Sequence, residues 1–76
     1  MQVFINIYLK DGVLDPAGKA THHALDSLGF KGVNEVRIGK QIKLNLDDSV
    51  SDEQLKQMCD DLLANPVIEN YEIVKL

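Results

Sequence analysis

The 76-residue sequence has little of what usually stabilises a small domain: one cysteine, two prolines and no tryptophan. A single cysteine excludes an internal disulfide. A chain of this length forms one domain, here taken as residues 1–76, and buries only ~60% of the surface that its unfolded state exposes. Without disulfides, its remaining source of buried area is self-association, so we expect a homodimer or homotetramer.

The sequence also lacks an excess of positive charge and any long apolar run. Eight Lys and Arg residues are scattered among twelve acidic ones, which gives a net charge of −4. Nucleic-acid binding needs clustered cations, so we expect no nucleic-acid partner. No apolar run approaches ~18 residues, and residues 1–6 lack the basic start and apolar core of a signal peptide. We therefore expect no membrane segment and a cytoplasmic location.

The first segment alternates with the period of a strand. Val3, Ile5 and Ile7 share one face, whereas Phe4 and Tyr8 lie on the other, where an ordinary half-exposed strand carries only polar side chains. The last segment, residues 67–76, is also apolar on both faces. We therefore expect self-association through a second sheet face, for which the candidates are Phe4, Tyr8, Val74 and Leu76.

A helix is predicted from Pro16, because Asp15 can cap it and proline at its first position loses no hydrogen bond. An apolar stripe of mostly alanine, with spacings of three and four, ends with Leu25 and Leu28. Gly29 is predicted to end the helix. This pattern predicts a helix that lies tight against a sheet, with the two leucines supplying most of its buried area.

A second alternation runs from Val36 to Leu46 without a slip in phase. A three-residue loop at residues 39–41 would keep its apolar set on one face, and so would a single long strand bent at Gly39. The hairpin is favoured, because Gly39 and Lys40 interrupt the β-formers, and it gives four strands rather than three.

A second helix is predicted after Ser51, which with Gln54 forms a capping box. Its buried face is predicted to consist of Leu55, Met58, Cys59, Leu62 and Leu63. The element order indicates an α+β two-layer sandwich, a ferredoxin-like β-α-β-β-α-β arrangement with an antiparallel sheet and two helices on one face. The alternative has three strands, with one long bent middle strand.

No catalytic, cofactor-binding or metal-binding constellation is predicted. The segment around Gly18 and Lys19 lacks the earlier glycine and the following hydroxyl residue of a phosphate loop. His22 and His23 diverge by ~100° on a helix and cannot chelate one ion. Cys59 falls on the apolar stripe of its helix, where a core position is the simpler interpretation.

The segment with Arg37, Gly39 and Lys40 is the one place where two cations flank a glycine between apolar β segments. Because a guanidinium makes planar, two-pronged contacts, we predict that this segment meets a partner or an acidic ligand. Asn65 and Tyr71 are further candidates for a partner interface.

Several segments together resemble one known family. They are GVLDP (12–16) with GKA (18–20), AL (24–25) with LGF (28–30), VRIGK (36–40), and MC (58–59) followed by LLANPVIE (62–69) with Tyr71. The whole chain is thereby similar to the small PurS-type subunit of phosphoribosylformylglycinamidine synthase. The resemblance implies a homo-oligomeric, non-catalytic subunit that bridges a glutaminase subunit and a large ATP-dependent synthase subunit for ammonia transfer in purine biosynthesis.

The same resemblance implies that the glutamine-dependent ligase complex, rather than this chain, uses ATP, Mg and glutamine. The alternative from another class is a free-standing regulatory dimer that binds a small molecule, since α+β domains of this size bind ligands at dimer interfaces. That alternative predicts a ligand-dependent change in the thermal stability of the small chain alone.

Overall fold

A computed structural model describes all 76 residues. In chain order, the elements are β1 (Gln2–Leu9), α1 (Pro16–Ser27), β2 (Lys40–Asn45), α2 (Asp52–Met58), a π-helical turn (Cys59–Leu63) and β3 (Glu69–Lys75). The three strands form one antiparallel sheet in the order β2-β1-β3. The α+β class with an antiparallel sheet and two helices is confirmed.

The middle segment forms one strand and no hairpin. Tight hairpin loops need residues at positive φ, and the residues with positive φ are Gly12, Gly29 and Gly32, none of which lies at residues 39–41. Upstream of β2, the Ile38 amide donates to the Asp15 carboxylate instead of to a neighbouring strand. The predicted hairpin is therefore wrong. The sheet has three strands, as in the alternative arrangement without a hairpin.

The core lies between β1 and α2. Val3, Ile5 and Ile7 of β1 are at most 1% exposed and meet Leu55 and Cys59, which are fully buried. The capping box at the start of α2 is confirmed, since the Ser51 hydroxyl accepts from the Gln54 amide and the Gln54 side chain accepts from the Ser51 amide. The predicted core position of Cys59 is confirmed as well.

The π-helical turn changes which leucines are buried. The Ala64 amide donates to the Cys59 carbonyl, five residues back, so this turn holds more residues than an α-helical turn. The wider turn shifts the side chains that follow Cys59 around the axis, and Leu62 is 81% exposed while Ala64 is buried. The prediction that Leu62 belongs to the buried face is wrong, because it assumed a regular 3.6-residue period.

Helix α1 begins at Pro16 as predicted, and Gly29 follows it at a φ of +93°. It does not lie tight against the sheet. Leu28 is 73% exposed, and Gly18 is the one buried residue of the helix. The prediction that Leu28 supplies buried area is therefore wrong for the single chain, whereas Leu25 is half-buried.

The position of α1 makes the molecule elongated. The Cα radius of gyration is 15.7 Å and the longest extent is 50 Å. A compact domain of this length has a radius of gyration of about 11.4 Å. Because α1 does not pack on the sheet, we attribute the excess to α1 and the irregular segment after it, residues 30–36, which project as an arm whose base is formed by residues 37–39.

Candidate functional site

The arm is held at its base by Asp15. One carboxylate oxygen accepts from the Gly18 amide at 2.8 Å, which caps α1, and the other accepts from the Ile38 amide at 2.7 Å. Asp15 is only 5% exposed. The sequence predicted the cap, but the bond to Ile38 spans 23 residues and has no local signal. One side chain therefore fixes both the start of α1 and the segment that returns to β2.

The pKa of Asp15 is lowered from its usual range. The largest cause is the hydrogen bond from the Ile38 amide, followed by the bond from the Gly18 amide, and the Arg37 guanidinium adds a smaller lowering. Partial removal from water acts in the opposite direction. Because hydrogen bonds to the charged form favour it, the carboxylate is the form that holds the arm.

Arg37 and Gly39 make contacts within the chain. The Arg37 guanidinium donates to the Val13 carbonyl at 3.0 Å and to the Lys10 carbonyl at 3.2 Å. A Cβ at Gly39 would lie 2.6 Å from the Ile7 carbonyl oxygen, so a glycine allows the close approach of the two segments. Lys40, by contrast, is exposed and pairs in register with Ile7. Partner contacts by these three residues stay a prediction.

Asn65 lies in the turn between the π-helical turn and β3, and Tyr71 lies within β3, where it pairs in register with Ile7. The Asn65 side chain accepts from the Val67 amide at 3.0 Å. The Tyr71 hydroxyl donates to Asp60 at 2.9 Å, beside a cleft of ≈ 370 Å³ that Lys10 and Glu69 also line. The pKa of Tyr71 is raised, chiefly by burial and secondarily by the Asp60 carboxylate. The structure does not bring these residues into contact with Arg37, and their role in a partner interface is untested.

The sheet face opposite α2 is named the open face. The register pairs Phe4 with Val74 and Tyr8 with Asn70, and Leu76 continues the same side next to Gln2. The four side chains predicted for self-association, Phe4, Tyr8, Val74 and Leu76, thus share this face. Tyr8 is 46% and Leu76 is 69% exposed.

A polar row that was not predicted crosses the open face. The Gln41 side-chain amide donates to Asn6 at 2.8 Å, and the Asn6 amide donates to Glu72 at 3.4 Å. These residues come from β2, β1 and β3, so only the register aligns them. The row gives the open face directional hydrogen-bonding groups between its apolar side chains.

The chain exposes more surface than a compact monomer of its mass. Its accessible area is 5571 Å², whereas a folded monomer of 8.5 kDa exposes about 4,650 Å². The excess of about 900 Å² is close to the ~800 Å² that one partner contributes to a standard interface.

No group of three His, Cys, Asp or Glu side chains could hold a metal ion, and no helix is long and apolar enough to cross a membrane. The fold and its surfaces define a class: a small α+β interaction module.

Comparisons with known proteins identify the family. The family model described as PurS, phosphoribosylformylglycinamidine (FGAM) synthase, matches residues 2–75. The phosphoribosylformylglycinamidine synthase subunit PurS of Synechocystis is 53% identical over 70 residues, which cover 88% of this chain and 70% of that protein. The chain belongs to the PurS family of phosphoribosylformylglycinamidine synthase subunits, as its sequence resemblance indicated.

Solved structures agree in fold. PurS of Bacillus subtilis has a TM-score of 0.87 at 44% identity, with 96% of this chain and 94% of that chain covered. A chain in a structure described as PurLQS from Thermotoga maritima has a TM-score of 0.83 at 31% identity, with 99% and 95% covered. The matches span nearly the whole chain, so the projecting arm belongs to the fold that is shared.

Proposed function

We propose that this chain is the non-catalytic bridging subunit of a glutamine-dependent phosphoribosylformylglycinamidine synthase in the cytoplasm. It self-associates and joins the glutaminase subunit to the large synthase subunit, so that ammonia passes between them. The other subunits bind ATP, Mg and glutamine. The observation that carries the proposal is the excess of exposed surface. A chain that exposes about 900 Å² more than a compact monomer has enough surface to bury in contacts with other subunits.

The name PurLQS of the Thermotoga maritima structure supports the assembly with further subunits. A subunit that contacts two others needs more than one interaction surface. The open face and the arm lie in different parts of this elongated chain, which fits that requirement.

The bridging role is tested by reconstitution of the synthase with and without this chain. We expect omission to abolish most glutamine-dependent activity and to affect ammonia-dependent activity less, because ammonia added to the solution bypasses the transfer. Equal glutamine-dependent activity in the absence of the chain would contradict the proposal.

Lys40 provides a local test of the predicted partner segment. Lys40→Ala removes an exposed cation without touching the hydrogen bonds of Arg37, whereas Arg37→Lys also loosens the loop at Val13. We expect Lys40→Ala to lower glutamine-dependent activity while the melting temperature stays unchanged. The matched control is Lys56→Ala, an exposed lysine on α2. If the two variants behave alike, Lys40 makes no partner contact.

Self-association through the open face is tested with Tyr8→Lys, measured by analytical ultracentrifugation. A lysine in an apolar contact weakens association by roughly tenfold or more. Val67→Lys is the control, because Val67 is 78% exposed and lies outside the strands of that face. A Tyr8→Lys variant that associates as the wild type would remove the open face from the proposal.

A further inference from the structure

Strand β3 forms one edge of the sheet, and its register shows which of its backbone groups are free. The Leu76 amide donates to the Gln2 carbonyl, and the Lys10 amide donates to the Ile68 carbonyl. Hydrogen-bonded pairs alternate along an antiparallel ladder, so the even-numbered residues of β3 are those that bond to β1. The N–H and C=O groups of the odd-numbered residues therefore point away from the sheet.

Three of these odd-numbered residues have no backbone partner. The Glu69 amide donates to the Asn65 carbonyl, but the N–H and C=O groups of Tyr71, Ile73 and Lys75 make no hydrogen bond within the chain. These three residues are named the β3 edge. Edge strands are usually guarded by proline, by a bulge or by short length. Strand β3 is seven residues long and has none of these guards, because its register runs without a break and it contains no proline.

A groove of ≈ 600 Å³ lies beside the β3 edge, between the strand and α2. Its apolar lining residues are Leu55, Tyr71 and Ile73, and its lining also includes the ion pair of Asp52 with Lys75. The side chains of the β3 edge thus line a groove while their backbone groups are free. A strand added at this edge would direct every second side chain into the groove.

The polar row of the open face ends on the same strand. One carboxylate oxygen of Glu72 accepts from Asn6, and its other oxygen has no hydrogen-bond partner within the chain. Glu72 is exposed and takes part in none of the ion pairs of the chain. In an added strand, the side chain opposite Glu72 would lie within ~5 Å, measured between Cβ atoms. A Lys or Arg at that position would continue the row with a charged pair.

The spacing of the free groups identifies the kind of molecule that fits them. They repeat every two residues, or about 6.8 Å, which is the repeat of a second extended backbone. A second copy of β3 fits poorly, because its side chains on the open-face side, Asn70, Glu72 and Val74, include no cation for Glu72. The chain's own irregular residues, 30–39, lead into β2 at the opposite edge of the sheet. An extended segment of a different protein is the better match.

We propose that the β3 edge accepts an extended segment of another synthase subunit as a fourth strand. The backbone of that segment bonds to the three residues of the β3 edge, and its apolar side chains enter the groove beside α2. A Lys or Arg between those apolar side chains points to the other side and pairs with Glu72. This inference rests on the proposed function, and it specifies one surface by which the chain joins the complex. The contact leaves the arm free.

Hydrogen exchange of backbone amides, measured residue by residue, tests the added strand directly. In the chain alone, the amides of Glu72 and Val74 are bonded to β1 and should exchange slowly, whereas those of the β3 edge should exchange fast. In the complex reconstituted with the glutaminase and the large synthase subunit, we expect exchange at the β3 edge to slow at least ~10-fold. Unchanged exchange there would overturn the proposal. Protection already present in the chain alone would place a second copy at the edge and would also overturn it.

Lys75→Pro and Lys75→Ala form a matched pair that isolates the backbone. Both variants lose the contact with Asp52, but only proline removes the outward N–H group and fills the edge with its ring. The readout is the concentration of this chain that gives half-maximal glutamine-dependent activity with the other two subunits. We expect it to be at least ~10-fold higher for Lys75→Pro than for Lys75→Ala. Equal values for two variants that circular dichroism shows to be folded would count against the added strand.

The charge at Glu72 gives a second test that leaves the backbone unchanged. Glu72→Lys should raise the same concentration at least ~10-fold, because it faces the partner's cation with a like charge. Glu72→Gln removes only the charge and should raise it about 2–5-fold. Glu53→Lys is the control, since Glu53 is exposed on α2 and the change of charge is the same. If Glu72→Lys behaves like Glu53→Lys, no cation of a partner lies beside Glu72 and the proposal is wrong.

The wild-type chain separates failure of this inference from failure of the proposed function. A wild-type chain without effect on glutamine-dependent activity would contradict the proposed function, and the added strand with it. A wild-type effect that persists unchanged in Lys75→Pro and Glu72→Lys would overturn the added strand alone.

Discussion

Replacement of Gly18 by alanine should destabilise the protein, although the same change stabilises most helices. Alanine is favoured over glycine in a helix interior by up to ~1 kcal/mol. At this position, however, the added Cβ would overlap the Val36 carbonyl oxygen and would lie 2.7 Å from an Asp15 carboxylate oxygen. The first of these is a backbone atom that cannot rotate away, so the base of the arm has to open.

The expected magnitude follows from the two opposing terms. Overpacking of a close contact costs about 1–3 kcal/mol, and the gain in helix propensity offsets less than ~1 kcal/mol because Gly18 lies in the first turn. The net loss of about 1–2 kcal/mol should lower the melting temperature by about 5–15 °C in a domain of this size. Since opening of the base also separates Ile38 from Asp15, the amide of Ile38 should exchange faster with solvent.

Thermal melting at fixed protein concentration measures the effect, and Thr21→Ala in the same helix is the matched control. Thr21 is exposed, so its replacement should raise the melting temperature slightly through helix propensity alone. A Gly18→Ala variant that melts at or above the wild-type temperature would refute the close approach of α1 and residues 36–38.

Two further predictions concern titratable groups. Because the pKa of Asp15 is lowered in the folded state, its contribution to stability is present above about pH 5 and is lost as the pH falls through the folded pKa. Asp15→Asn should therefore have a lower melting temperature than the wild type at pH 7. In urea titrations, the free energies of unfolding of the two proteins should converge as the pH falls below about 4. If they stay equally far apart at all pH values, or if exposed Asp11→Asn behaves like Asp15→Asn, the carboxylate does not hold the arm. The pKa of the Cys59 thiol is raised, chiefly by burial and secondarily by the Asp60 carboxylate. At pH 8, a thiol reagent should therefore label Cys59 in the native protein roughly 100-fold more slowly than in the protein unfolded by urea. Ser27→Cys, at an exposed position, should label at once, and equally fast labelling of Cys59 in the native protein would place it outside the core.

The family and the local structure could be read from the sequence. Asp15 before Pro16 and Ser51 before Gln54 act within three or four residues, so their side chains meet the same backbone amides in any fold that keeps the helix. The alternation in β1 likewise separated the core side from Phe4 and Tyr8, because the two-residue period of a strand does not depend on its neighbours.

Contacts between distant segments were decided by the tertiary structure alone. Leu28 carries the pattern of a buried residue, and its exposure follows from the anchoring of α1 through Ile38, which no local pattern encodes. Leu62 is turned outward by one extra residue in a helical turn, and such a turn has no periodic signature. The number of strands depended on the hydrogen-bond partner of residues 36–38. The Ile38 amide donates to the Asp15 carboxylate and not to a neighbouring strand, so the sheet has three strands. Sequence periodicity specifies which side of an element is apolar, but the partner that covers it is chosen by long-range packing.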